Sequence, residues 1–167
     1  MKKLSILFLL LVININSYSQ TSQEYFDRGN SKCDLQDYKG AIADYTKAIE
    51  LNPKQAHIYG NRGNAKSQLK DNLGAIADYT KAIELDPEYE NAYYNRGTSK
   101  GDLKDYYGAI ADYTQAIKID PKDAEVYYNR GLAKLQLNQK ESGCMDLSKS
   151  GELGYVQAYD EIKLHCN

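Results

Sequence analysis

Four arginines, Arg28, Arg62, Arg96 and Arg130, recur at a fixed interval, and an aspartate follows each one sixteen residues later: Asp44, Asp78, Asp112 and Asp146. A guanidinium presents a planar fork that fits a carboxylate bidentately, so such rows support two kinds of chemistry. One is a repeated internal ion pair; the other is an arginine row that clamps acidic ligands. Each arginine comes with its own acid, which favours the internal pair. Catalytic groups are scarce by comparison. His57 and His165 stand far apart, Cys33, Cys144 and Cys166 form no C-x-x-C spacing, and no His/Cys/Asp cluster has metal-ligand spacing. No glycine-rich loop follows a strand and no nucleophile motif occurs. The sequence therefore predicts no enzyme, no metal and no cofactor.

The elements that position these rows come from a repeat. The string Gly-Ala-Ile-Ala-Asp-Tyr-Thr-Lys-Ala-Ile-Glu-Leu-Asp-Pro at 74–87 occurs at 40–53 with Asn52 for Asp86, and at 108–121 with Gln115, Lys118 and Ile119 as departures. A fixed period of 34 residues signals an array in which each unit must stack on its neighbours to bury its apolar face. Ala75, Ile76, Tyr79, Ala82, Ile83 and Leu85 recur at helical spacing, leaving Asp78, Lys81 and Glu84 on other faces. Pro87 ends that helix, because the residue before a proline is driven from the α region. Ahead of it, Tyr59, Gly63, Lys66 and Leu69 share the phase of another helix over 56–70. Each period reads helix A, turn, helix B. The antiparallel hairpin turns near residues 36–37 in the first unit, which brings Arg28 level with Asp44.

These residues resemble the tetratricopeptide repeat family, whose pattern is W-x2-L-G-x2-Y, then A-x3-F, then A and P. The large aromatic is Tyr25, Tyr59, Tyr93 and Tyr127, and the glycine is Gly29, Gly63, Gly97 and Gly131. Ala41, Ala75 and Ala109 precede the second aromatic, Tyr45, Tyr79 and Tyr113; Ala48, Ala82, Ala116 and Pro53, Pro87, Pro121 complete the signature. Arginine replaces the leucine in all four units, and Lys32, Lys66, Lys100 and Lys134 replace the tyrosine. The lysine stems are expected to pack while their ammonium groups reach solvent. In the fourth unit helix B degrades, with Gly143, Leu147, Ser150 and Tyr155 at the signature places. The resemblance implies an all-α, right-handed superhelix of four hairpins (20–53, 54–87, 88–121 and 122–154) and a capping helix over 155–167. The recurring glycines imply close approach of helices A and B, and the 16 tyrosines imply a packing role.

Met1–Ser19 stands outside the array. Lys2 and Lys3, the apolar run Leu4–Ile13 and a short polar tail give the layout of a signal peptide cleaved after Ser19, and hence an exported, periplasmic or secreted chain without membrane insertion. An uncleaved N-terminal anchor is the alternative. Cleavage takes away two lysines and no acid, so the net charge of −2 becomes −4. An acidic balance argues against nucleic acid, which needs a basic stripe.

The resemblance further implies a non-catalytic module that holds an extended peptide or a partner helix in a concave groove lined by the A helices. The alternative is a structural part of an envelope assembly that uses its convex face or its ends. Candidate groove residues are Asp27 and Asn30, Asn61 and Asn64, Tyr94, Asn95 and Thr98, and Tyr128 and Asn129. Asn61, Asn95 and Asn129 stand one above another, with Asp27 below. Adjacent helices lie about 8–10 Å apart and a strand rises about 3.3 Å per residue, so such a ladder meets an extended backbone about every third residue. The other reading of the row is solvated asparagine. Asp27, Asp34, Asp102 and Glu125 on this face favour a neutral or basic segment. Cys144 takes the place of Ile42, Ile76 and Ile110, which in such arrays faces the next helix, and Cys166 lies on the inward stripe of the cap. That arrangement implies a Cys144–Cys166 disulfide with Cys33 free, the alternative being three reduced thiols.

Overall fold

The computed structural model describes residues 21–166. The expected signal segment, Met1–Ser19, lies outside them. Among the described residues there are nine helices and no strand: α1 Ser22–Asp34, α2 Tyr38–Leu51, α3 Ala56–Gln68, α4 Asn72–Leu85, α5 Glu90–Asp102, α6 Tyr106–Ile119, α7 Ala124–Gln136, α8 Lys140–Glu152 and α9 Ala158–His165. None of them is long and apolar enough to cross a membrane.

Local sequence sets the boundaries. Thr21 and Glu24 form a capping box at the start of α1. Asp37, Asp71 and Asp105 cap α2, α4 and α6 by accepting from the backbone N–H of Gly40, Gly74 and Gly108. Each A helix ends on a residue in the left-handed region: Gln36, Lys70, Lys104 and Asn138, with φ of 59–63°. The next N–H then reaches back to close the turn, as in Asp37 N to Lys32 O at 2.8 Å.

Each helix packs on the next in the chain, and the A helices also touch one another: α1 with α3, α3 with α5, α5 with α7. The B helices make no comparable approach. The array is therefore a solenoid curved with its A helices on the inside, which gives it one concave face. Its core is built from small and aromatic residues in alternation: Ala41, Tyr45, Ala48 and Ile58 at one junction, Ala109, Tyr113, Ala116 and Val126 at another.

The cap differs from its expected extent. It begins at Ala158, and Tyr155 stands in the turn before it. Gly154, at φ 100°, closes α8, and Tyr155 N–H is spent on Ser150 O, so Tyr155 belongs to the end of α8. The Sγ atoms of Cys144 on α8 and Cys166 at the end of α9 lie 2.01 Å apart, while Cys33 is on α1 beside Tyr45 Oη.

Two glycines separate close packing from mere permissiveness. A Cβ on Gly63 would stand 2.7 Å from the Tyr79 ring, whereas one on Gly101 would meet nothing within 4 Å. Gly63→Ala is expected to lower the unfolding free energy by about 1–3 kcal/mol through overpacking. Gly101→Ala should raise it by up to about 1 kcal/mol through helix propensity. Thermal and denaturant unfolding of the two variants measures both signs; equal effects would refute the packing argument.

Candidate functional site

The rows meet between each pair of helices. Within the second unit, Arg62 Nε and Nη2 donate to Asp78 Oδ2 and Oδ1 at 2.9 and 2.6 Å, and Lys66 Nζ lies 2.7 Å from Oδ2. Arg62 Nη1 donates to Thr46 Oγ1 of the preceding unit at 3.1 Å, and its guanidinium covers the Tyr59 ring. The same set recurs as Arg96, Asp112, Lys100, Thr80 and Tyr93, and as Arg130, Asp146, Lys134, Thr114 and Tyr127. Arg28, Lys32, Asp44 and Tyr25 repeat the set within the first unit. All four aspartates are buried. The arginines are therefore occupied by internal acids and form no clamp for an external one. The lysines, whose partners the sequence left open, share these carboxylates. Thr46, Thr80 and Thr114 escaped sequence reasoning, although their 34-residue recurrence was the available signal.

The concave face carries a second row. Asn61 Nδ2 donates to Asn30 Oδ1 at 3.1 Å, and Asn95 Nδ2 donates to Asn64 Oδ1 at 3.2 Å. Asn129 Nδ2 donates to Tyr94 Oη at 3.0 Å, and Tyr94 Oη donates to Glu125 Oε1 at 2.7 Å. From below, Tyr45 and Tyr79 donate to Asn30 and Asn64 at 2.8 and 2.7 Å, and Thr98 Oγ1 lies 3.2 Å from Tyr113 Oη. Burial pushes the Tyr113 hydroxyl up to about 12; burial and then the Glu125 carboxylate raise that of Tyr94. These phenols remain protonated donors. Tyr128 meets Tyr155 with ring centroids 4.9 Å apart, and Asp27 is exposed with Gln23 Nε2 on its Oδ1. The structure thus brings eight of the nine candidates into contacts with another helix or turn, while Asp27 is bonded within its own helix. One hydrogen of each ladder amide is used internally, which orients the side chain. Among the described residues, no group of three or more His, Cys, Asp or Glu side chains is placed to hold a metal ion.

Paired antiparallel helices stacked in register define a helical-repeat array with a concave face. The TPR repeat profile matches residues 29–70, 63–101 and 102–138, and the chain belongs to the tetratricopeptide repeat family. No curated protein sequence matches it. Among solved structures, MamA is similar at TM-score 0.78 and 24% identity, over 83% of this chain and 81% of that one. The first TPR domain of Spaghetti (RPAP3), bound to the HSP90 peptide SRMEEVD, is similar at TM-score 0.70 and 26% identity, over 72% and 96%. The Arabidopsis OM64 TPR domain is similar at TM-score 0.64 and 30% identity, over 71% and 95%.

The buried network makes a sharp prediction. Arg62→Met leaves Asp78 buried with half its compensation, and should cost on the order of 3 kcal/mol. Adding Asp78→Leu and Lys66→Met to Arg62→Met should recover much of that loss, since the three changes together remove every charge of the triad. Denaturant unfolding of the single and triple variants measures the difference. A pH effect follows at Asp44, whose carboxyl the Arg28 hydrogen bond, then Lys32, brings down to about 2 against the opposing effect of burial. A depressed native pKa contributes stability above the unfolded value, near 4, that is lost as pH falls toward 2. Asp44→Asn should flatten the stability curve across that window.

Proposed function

We propose that the chain is a non-catalytic scaffold whose concave face holds an extended peptide or a helix of a protein partner. The observation that carries this reading is the oriented asparagine ladder. Each of Asn61, Asn95 and Asn129 is fixed through one amide hydrogen by the preceding unit, so its remaining donor and acceptor capacity is preorganised at little further entropic cost. The peptide-bound RPAP3 domain is consistent with such use of the fold. The test changes Asn61, Asn95 and Asn129 together to alanine and repeats capture of the native partner by crosslinking. Capture is expected to fall at least about tenfold while helicity persists and melting drops modestly from the lost inter-unit bonds. Unchanged capture by a folded triple variant removes the ladder from the mechanism.

A second reading, attachment through the convex face or an end, is favoured by one feature. Met145 is exposed beside Cys144 and Cys166, in a cleft lined also by Lys140, Glu141, Lys149 and Glu152. Loss of capture on Met145→Lys, with the asparagine variant unaffected, would select it.

The chain acts outside the cytoplasm in this proposal, after cleavage behind Ser19. There the Cys144–Cys166 bond persists and closes a loop that stabilises by about 3 kcal/mol in the chain-entropy model. The denatured, unreduced protein should carry one titratable thiol, Cys33, and a mass lacking Met1–Ser19. Two or more thiols, or an intact Met1, would overturn these parts respectively.

A further inference from the structure

We propose that the concave face selects a basic segment, with lysine or arginine at about every third position, whose cations lie over aromatic rings bordered by carboxylates. The proposal rests on the groove reading above and adds the chemistry of the occupant. Phe26, Tyr94 and Tyr128 occupy equivalent inner positions of the first, third and fourth units, each against a residue beyond the intervening B helix. Phe26 meets the His57 ring at 4.9 Å, Tyr94 holds Glu125, and Tyr128 meets Tyr155. In the second unit the place is Gly60, over which the Tyr89 ring lies. A half-buried aromatic ring therefore stands at this place in every unit.

Carboxylates flank it. Asp27, Asp34, Asp102 and Glu125 are all exposed on this side. The cleft between the first two units, about 360 Å³, has Asp34 as its charged wall among Asn30, Tyr38, Tyr45, Asn61 and other neutral groups, with no lysine or arginine. The carboxylates that could neutralise a cation inside the array, Asp44, Asp78, Asp112 and Asp146, are already matched by two cations each. Among the described residues the groove acids meet neutral donors instead: Asp27 takes Gln23, Asp102 takes Asn72, and Glu125 takes Tyr94. At the far end Glu161 stands 3.4 Å from His165, with Lys140 lining the same cleft, so the acidic stretch ends there. An acidic peptide such as SRMEEVD meets like charge along this path, whereas a basic one meets complementary charge in each of the first, third and fourth units.

The test uses the full chain and three peptides of one length, with lysine, glutamine or glutamate at every third position in a serine–glycine background. Affinity is read by fluorescence anisotropy at low and high salt. The lysine peptide is expected to bind about tenfold tighter than the glutamine peptide at low salt, with the gap closing as salt rises. The glutamate peptide should bind weakest. Glu125→Gln with Asp102→Asn keeps the acceptors for Tyr94 and Asn72, so the fold is retained while the lysine preference collapses. Equal binding of lysine and glutamine peptides, weakened by the asparagine-to-alanine triple change, overturns the basic preference and leaves the groove reading standing. A lysine preference indifferent to both sets of substitutions places binding elsewhere and overturns both. No measurable binding of the lysine peptide at low salt overturns this proposal as well.

Discussion

Every junction in this array turns on one buried carboxylate held by two cations. Asp78 sits between Arg62 and Lys66, which are one helical turn apart and therefore on one face of α3. Removing three charges from water is costly, so the triad adds little net stability over an apolar replacement. Its consequence is register. Sliding α3 by one turn along α4 would carry one of the two cations out of reach of Asp78, and the under-compensated buried carboxylate disfavours that register. The third guanidinium nitrogen extends the constraint across units, since Arg62 Nη1 reaches Thr46. A helix pair is thereby aligned internally and to its predecessor through one side chain.

Fixed register is what makes the concave face regular. With α1, α3, α5 and α7 held in phase, Asn61, Asn95 and Asn129 each meet the preceding unit, and the row acquires a common orientation. The phenols of Tyr45 and Tyr79 complete the arrangement from the core side by donating to Asn30 and Asn64. Two polar rows thus border the same apolar packing. One is closed on itself, and the other keeps capacity for an outside backbone.

The repeat itself was legible because a 34-residue period repeats the same burial problem, and three near-identical strings leave little choice of phase. The arginine–aspartate pairing was legible from its sixteen-residue offset once the hairpin was placed. The lysine partners were not, because a long flexible stem reaches several carboxylates and spacing does not choose among them. Nor were the threonine links or the internal bonds of the asparagines, which depend on how far one unit leans toward the next. Periodicity also hides departures. Glu90 stands where Ala56 and Ala124 stand, and its Oε1 is buried without a partner; burial, then Asp123 and Asp120, raise its carboxyl.

The fourth unit shows what governs such departures. In the first three units a buried phenol, Tyr45, Tyr79 or Tyr113, meets a polar group two residues before the recurring lysine: Asn30, Asn64 or Thr98. In the fourth the phenol becomes Leu147, fully buried, and the partner position becomes Leu132. Either change alone would leave a buried polar group unmatched, at a cost of about 1–3 kcal/mol. Made together they exchange a hydrogen-bonded pair for an apolar one. Ser150, which replaces the recurring alanine, is likewise buried but satisfied, donating to Ala124 O at 2.7 Å. Gly143 removes a methyl just where Gly131 brings α7 within 3.0 Å of where a Cβ would stand. The unit that looks degenerate by its signature therefore keeps complete accounting of its buried polar groups, and ends the array on a different but self-consistent core against which α9 closes.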